Sequence, residues 1–276
     1  MSLRLLLVGV SGTGKTGALL PLLKNYKLRI ADFDNGVDFL KMNSSAELRQ
    51  NLSVKTFTDE FSRSTISGLT LNTPTAITRF GNALDKWDEA GPFKTWGSDT
   101  ILVIDSLTFL GRAMARHFLD LNKKKPDSVI EPRQFGAIQG MIFSLMDQLL
   151  DDAKNCHYIV ISHIDYRDYQ EGSYAPVGMM DQGDKPDQIP KSQVEAKGVP
   201  TVFGAKLGPQ IGRYFNFMLR ARISTIGNMR PRRIIQTQPD QTIDLKCPIL
   251  ELEEKGELQL STGLATLFAE WEKRNN

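Results

Sequence analysis

Leu3-Arg4-Leu5-Leu6-Leu7-Val8-Gly9-Val10-Ser11-Gly12-Thr13-Gly14-Lys15-Thr16 is the stretch that decides the fold. Its first six residues form a short apolar run that predicts a buried strand. The next eight fit G-x-x-x-x-G-K-[ST] at every fixed position. Glycines let the backbone close into a concave nest whose N–H groups face phosphate oxygens. Lys15 then reaches the β- and γ-phosphates, and the Thr16 hydroxyl takes a place on Mg²⁺. Ala18-Leu19-Leu20 predicts a helix from about Lys15 to Lys24, with the positive end of its dipole aimed at the same anion. The predicted nucleotide contacts are Gly9, Ser11, Gly12, Thr13, Gly14, Lys15, Thr16 and Gly17. The expectation is binding of a nucleoside triphosphate.

Outward from the motif, three more strands are predicted: Leu28–Phe33, Thr100–Ser106 and His157–His163. Helices are predicted between them. One starts at Thr73-Pro74-Thr75, with Ile77, Phe80, Leu84 and Trp87 on one face. Another runs from Thr108 to about Leu121, and a third carries Ile138, Ile142, Leu145 and Leu149 and closes near Lys154. Residues 44 to 72 have poor periodicity and read as short elements and loop. Strand alternating with helix implies a mostly parallel sheet covered on both faces, with the C-terminal strand ends on one edge. Gly9 to Thr16, Asp34, Asp105 and His163 all lie just past strand ends, so they are expected to converge on one crevice.

Beyond residue 163 the character changes. Nine of the forty-one residues from 165 to 205 are Gly or Pro, which predicts a long irregular connection of the kind that compact domains rarely carry without a function. Tyr214 to Arg222 and Arg232 to Thr237 suit a β-hairpin turning near Gly227-Asn228. A closing helix, capped by Ser261 or Thr262, presents Leu264, Leu267, Phe268 and Trp271 on one face.

A length of 276 residues with 41% hydrophobic and 24% charged content allows one α/β domain with a sizeable core. The expected division is a nucleotide-binding core over 1–163, a long loop over 164–212, and a hairpin and C-terminal helix over 213–276. Cys156 and Cys247 have no metal-ligand or disulfide spacing and suit a reducing cytoplasm. Met-Ser-Leu-Arg running directly into the motif leaves no room for a signal peptide, and no stretch has the apolar length of a membrane span. A net charge of +2 restricts any nucleic-acid surface to a local patch.

Asp105 ends an Ile-Leu-Val-Ile strand, the pattern of an acid placed for Mg²⁺. Ser106 stands where an AAA+ ATPase places its catalytic Glu. A GTPase would show Asp-x-x-Gly and Asn-Lys-x-Asp, and Asp105-Ser106-Leu107-Thr108 and Asn122-Lys123-Lys124-Lys125 fit neither. ATP is the better nucleotide.

The segments Ile30-Ala31-Asp32-Phe33-Asp34-Asn35-Gly36, Ile101-Leu102-Val103-Ile104-Asp105-Ser106 and Ile159-Val160-Ile161-Ser162-His163 resemble the RecA-like P-loop ATPase core. They look closest to the short phage single-strand annealing and recombination ATPases of that superfamily. The resemblance implies a mostly parallel sheet with helices on both faces and a C-terminal β-hairpin. It implies that the His163 strand lies between the P-loop strand and the Asp105 strand. It maps the water-activating acid onto Asp34, where the family usually has Glu, and the γ-phosphate sensor onto His163, which relays to a DNA-binding loop at 165–205. It places Lys123, Lys124, Lys125 and Arg133 in a first DNA loop. Arg232 and Arg233 become arginines that reach a neighbouring subunit's γ-phosphate.

The same resemblance implies hydrolysis of Mg²⁺–ATP coupled to single-stranded DNA in phage-type recombination or annealing, inside a bacterial host cytoplasm. The partners it implies are other copies of the chain, in a ring or filament with ATP at subunit interfaces, and a single-strand-binding protein. The family's filaments are usually linked by an anchor preceding the core, and two residues before the first strand leave a ring or core-contact filament as the expectation. The charge pattern is uneven. The 165–205 segment is net acidic by three, whereas 213–233 carries Arg213, Arg220, Arg222, Arg230, Arg232 and Arg233 with no acid. Tyr166, Tyr169 and Tyr174 are candidates for base stacking. Three other readings are open: a ring helicase-like motor, an ATP-gated DNA-binding module with little turnover, and a P-loop kinase.

Overall fold

The computed structural model describes residues 1–64, 68–169, 195–204, 206–225 and 230–275. In chain order, β1 (Arg4–Val8) leads through the P-loop to a 3₁₀ helix (Gly17–Lys24) and β2 (Lys27–Asp32). Two short helices, α1 (Asp38–Asn43) and α2 (Ala46–Arg49), precede β3 (Leu52–Thr56), β4 (Phe61–Ser64) and β5 (Gly68–Leu71). Then come α3 (Ala76–Asp85), β6 (Thr100–Asp105), α4 (Leu107–Leu121), α5 (Pro132–Asp152) and β7 (His157–Ser162). After these lie β8 (Ile164–Tyr169), β9 (Glu195–Pro200), α6 (Gly208–Ile211), β10 (Phe217–Ser224) and β11 (Arg232–Gln236). The chain closes with α7 (Leu250–Glu254), β12 (Glu257–Gln259) and α8 (Gly263–Asn275).

One sheet organises these elements, in the order β12-β11-β10-β1-β7-β6-β2-β3. From β10 to β3 every neighbouring pair is parallel, and β11 and β12 extend the sheet antiparallel. The His163 strand therefore lies between the P-loop strand and the Asp105 strand, as the resemblance implies. This is an α/β fold: a mostly parallel sheet with helices on both faces and a C-terminal β-hairpin.

The interior strands read as continuous apolar runs because both faces are covered. Side chains alternate between the two faces. Leu6, Val8, Leu102, Ile104, Tyr158 and Val160 pack with Phe80, Leu110, Ile138 and Ile142 from α3, α4 and α5. Leu5, Leu7, Ile101, Val103, Ile159 and Ile161 pack with Leu19 and Leu22 of the 3₁₀ helix, Leu40 of α1 and Leu264 and Phe268 of α8. At α5, Pro132 opens the first turn and the Gln134 side chain accepts the Glu131 N–H at 2.9 Å, which stops the helix from extending toward Lys125.

Several expectations need correction. The helix after the P-loop is not an α-helix from Lys15; it is a 3₁₀ helix opening at Gly17. Pro21 sits inside it and has no N–H to give the Gly17 carbonyl, so the α register cannot close there. Trp87 is fully buried but lies past the end of α3 at Asp85, so the loop, not the helix face, delivers it. The second half of the hairpin pattern holds, yet β10 starts at Phe217 because Gly212–Tyr214 is a 3₁₀ turn. The turn expected near Gly227-Asn228 lies outside the described residues. Residues 164–212 are not loop throughout. β8 and β9 pair antiparallel from Ile164↔Pro200 to Tyr169↔Glu195, and α6 follows. Residues 170–194, Tyr174 included, and residue 205 lie outside the described residues. Within 44–72, β3 joins the sheet edge parallel to β2, and β4 pairs with β5 in a separate two-stranded sheet.

Among the described residues, no helix is long and apolar enough to cross a membrane.

Candidate active site

The P-loop leaves β1 and turns back against the sheet. Gly9 must be glycine, because a Cβ there would lie 2.4 Å from the Ala221 carbonyl oxygen of β10. Gly12 and Gly14 have φ of 80° and 90°, a region open to glycine at little cost. The Thr13 hydroxyl donates to the Val10 carbonyl at 2.9 Å and staples the loop internally. Lys15 is buried, and its ammonium donates to the Gly9 and Val10 carbonyls, each at 2.9 Å. Burial pulls its pKa down, while Asp105 and Asp34 push it up. Ser11 is exposed at the loop's rim, and Gly17 lies beneath the half-exposed ring of Phe39.

Asp105 closes β6 next to this loop. The Thr16 hydroxyl donates to Asp105 Oδ2 at 2.7 Å, so the two predicted metal ligands touch. Desolvation, and then the negative charge of Asp34, raise the Asp105 pKa to about 7, against the bond from Thr16. A carboxylate held this far above its ordinary range is short of positive charge. A hard divalent cation that prefers oxygen ligands supplies that charge, so the residues present fit Mg²⁺.

Asp34 follows β2 and is half-buried, with Oδ1 lacking a hydrogen-bond partner among the described residues. It interacts electrostatically with Lys15, Asp105 and His163, which places it in the same crevice. His163 stands one residue past β7, half-buried. Burial and then the charge of Lys15 lower its pKa, and Asp34 opposes them. The structure thus brings together Lys15, Thr16, Asp34, Asp105 and His163.

Around His163 the backbone is tied to the β8–β9 hairpin. The His163 N–H donates to Thr108 Oγ1 at 3.2 Å, and that hydroxyl donates to the Thr201 carbonyl at 2.9 Å. The Thr201 N–H returns to the His163 carbonyl at 2.7 Å. Ser162 Oγ adds a bond to the Thr201 carbonyl at 3.1 Å. The strand end beside the P-loop and the root of the hairpin therefore form one hydrogen-bonded unit.

Several residues of the crevice escape sequence reasoning. Asp32 is fully buried at the end of β2, directly opposite Asp105 in the β2–β6 register. Its Oδ1 accepts the N–H groups of Asp34 at 3.3 Å and Gly36 at 3.2 Å, and so holds the turn that carries Asp34. Burial raises its pKa. The available signal was two adjacent strands that each end in a carboxylate. Ser106 is also fully buried, with its hydroxyl unpartnered among the described residues. Arg112 of α4 lies over Phe109 at 4.9 Å and adds positive charge near His163; it sits in a plain helical stretch that gave no signal.

The basic segments look different in three dimensions. Arg232 pairs with Glu257 at 3.0 Å, and Arg222 approaches the same carboxylate at 4.0 Å. Arg220 reaches Asp240 at 3.7 Å and donates to the Tyr166 hydroxyl, while Arg213 stacks on Phe143. Lys124 and Arg133 both bind Glu131, each at 2.7 Å. Arg233, expected to serve a neighbouring subunit, lies against the P-loop of its own chain.

No protein-family model matches the chain, and no curated protein matches it. Solved structures resemble it distantly. A KaiC-like protein from Pyrococcus horikoshii is 14% identical over 85% of this chain and 78% of its own, with a TM-score of 0.38. Flagellar accessory protein FlaH from Methanocaldococcus jannaschii is 12% identical over 84% of this chain and 76% of its own, at 0.36. An ATPase of the type III secretion system of pathogenic bacteria is 14% identical over 80% of this chain, at 0.41, and the match spans 51% of that ATPase. Likenesses of this size leave the strand order and the geometry of the crevice to carry the functional reading.

Proposed function

We propose that the chain is a RecA-like ATPase that binds Mg²⁺–ATP on Gly9–Thr16 and couples it to single-stranded DNA in phage-type recombination or annealing. The observation that carries this is the convergence of Lys15, Thr16, Asp34, Asp105 and His163 from four strand ends, with His163 tied through Thr108 to Thr201 at the hairpin root. Each residue has a task. Lys15 exchanges the Gly9 and Val10 carbonyls for phosphate oxygens. Thr16 and Asp105 hold Mg²⁺, which supplies charge neutralisation at the transferred phosphoryl group. Asp34, whose Oδ1 is buried without a hydrogen-bond partner among the described residues, is the acid that orients the attacking water. His163 reads the γ-phosphate and passes its state to β8 and β9. Copies of the chain assemble in a ring or core-contact filament as one RecA-like domain per subunit, with a single-strand-binding protein as a further partner, in the cytoplasm.

A second reading, a nucleotide-gated DNA binder with little turnover, is favoured by Asp34 itself. Its side chain is one methylene shorter than the Glu the mechanism ordinarily uses. Hydrolysis of ATP by the purified protein, with and without single-stranded DNA and with Lys15→Ala as blank, tests both. Stimulation by DNA is the expected result. Binding of both ligands with almost no turnover selects the gated binder. A chain that neither binds DNA nor responds to it loses the DNA assignment.

A further inference from the structure

Arg233 has its contacts within its own chain. β11 carries it opposite Ile223 of β10, at the end of the sheet edge where the P-loop lies. Its Nε donates to the Gly12 carbonyl at 3.3 Å. Its aliphatic stem passes Gly14, where a Cβ would lie 3.0 Å from Arg233 Cδ and 2.7 Å from Leu260 Cδ2. The Leu260 N–H donates to the Arg233 carbonyl at 3.3 Å, so both side chains leave one hydrogen-bonded end of the antiparallel β11–β12 pair.

Two features separate Arg233 from the arginines around it. Arg220, Arg222 and Arg232 each face a carboxylate, whereas the hydrogen bond of Arg233 goes to a neutral carbonyl. Among the described residues its charge meets no carboxylate, which leaves it available to an anion. Its position is also set by backbone, since the loop residues it contacts are the two with positive φ and have no side chains of their own to pack. Arg233 on β11 and Leu260 just past β12 supply that packing.

We propose that Arg233, buttressed by Leu260, acts in cis: it positions its own P-loop and lends its charge to the triphosphate bound there. This rests on the nucleotide reading above and changes the direction in which the late hairpin works. A finger inserted from a neighbour needs assembly to act, whereas a cis arginine contributes in every subunit, assembled or not. A charge-assisted hydrogen bond of this kind is worth roughly tenfold in phosphate affinity.

The test combines affinity with subunit mixing. Full-length Arg233→Ala is expected to bind a fluorescent ATP analogue with Mg²⁺ about tenfold more weakly than wild type, with an unchanged melting temperature. Arg233→Lys, which keeps a charged donor for Gly12, is expected to recover most of that loss. At subsaturating ATP, mixing Lys15→Ala with Arg233→Ala chains is expected to leave hydrolysis at the level of Arg233→Ala alone, because a Lys15→Ala neighbour supplies nothing to a site completed in cis. Restored hydrolysis in the mixture would show a trans finger and overturn the proposal, as would an Arg233→Ala chain that binds the analogue like wild type. A wild-type chain that binds no nucleotide is a separate result, and it removes the nucleotide reading itself.

Discussion

The P-loop edge of the sheet and the arginine-rich hairpin are both charged, and they handle charge in opposite ways. At the P-loop edge, Asp32, Asp34, Asp105 and Ser106 are buried or half-buried, and Asp32 Oδ2, Asp34 Oδ1 and Ser106 Oγ have no partner among the described residues. On the hairpin, Arg220 and Arg232 pair with Asp240 and Glu257, and Arg222 approaches Glu257 at 4.0 Å with its Nε buried and unpartnered among the described residues. Buried polar atoms without partners cost stability, so a fold that retains several in one crevice gains something else by them. Exposed pairs cost little and contribute little. The three partnerless oxygens clustered at the strand ends support the chemistry proposed there, and the pairing of Arg220 and Arg232 shows that arginines close in sequence are not all free charges in space.

The largest expected effect comes from Asp105. Its carboxyl has an ordinary pKa of 3.8 and is raised to about 7 in the fold. The folded chain therefore holds a proton that the unfolded chain releases between those values. Stability from this group is complete below 3.8 and is lost as pH rises through about 7, by up to about 4 kcal/mol. Asp105→Asn is expected to flatten that loss between about pH 4 and 7 in melting experiments without Mg²⁺ or nucleotide. An unaltered pH slope in the variant would contradict the strained carboxylate.

His157 provides the opposite slope from the structural side of the sheet. It is buried between Tyr26 and Phe268, with ring centroids at 6.0 and 5.3 Å, and Nδ1 accepts the Leu3 N–H at 2.9 Å. Burial lowers its pKa from 6.5 to about 4, against the pull of Glu272. The unfolded chain binds the proton first, so stability is complete above 6.5 and falls as pH drops toward 4, by about 3 kcal/mol. His157→Asn keeps an acceptor for Leu3 and is expected to remove the acid slope while leaving nucleotide affinity alone. Loss of nucleotide affinity in that variant would give His157 a role its position does not.

The smallest effect belongs to the hairpin. Glu257→Gln releases Arg222 and Arg232 and is expected to change stability by less than about 1 kcal/mol. If those arginines serve DNA, affinity for single-stranded DNA at fixed salt rises severalfold, and fluorescence anisotropy reads it. Unchanged affinity would leave them as edge charges that keep the sheet from pairing further.

How much of this is legible in sequence divides along the same line. Strand ends are legible because apolar runs such as Ile101–Ile104 stop at a polar residue, and parallel topology then gathers those ends on one edge. Lys15, Thr16, Asp34, Asp105 and His163 can accordingly be placed together from sequence. Pairings between distant residues are not legible. Glu257 lies two dozen positions from Arg232 in a segment with no motif, and Asp32 looks like an ordinary strand residue until its register with Asp105 is known. The 3₁₀ geometry after the P-loop is legible in Pro21, although the Leu-rich pattern around it suggests an α-helix. Where Arg233 points depends on the antiparallel return of β11 beside β10, which local pattern does not specify.

Every role proposed for the chain depends on the crevice at Gly9–Thr16 binding Mg²⁺ and nucleotide. Calorimetric titration of the wild-type chain and Lys15→Ala with ATP, with and without Mg²⁺, tests it most directly. One site per chain is expected, tighter with Mg²⁺ and weakened on the order of a hundredfold in Lys15→Ala, the scale on which loss of one donor to phosphate or oxyanion charge is felt. Equal binding by the two chains, or no binding by the wild type, would contradict it.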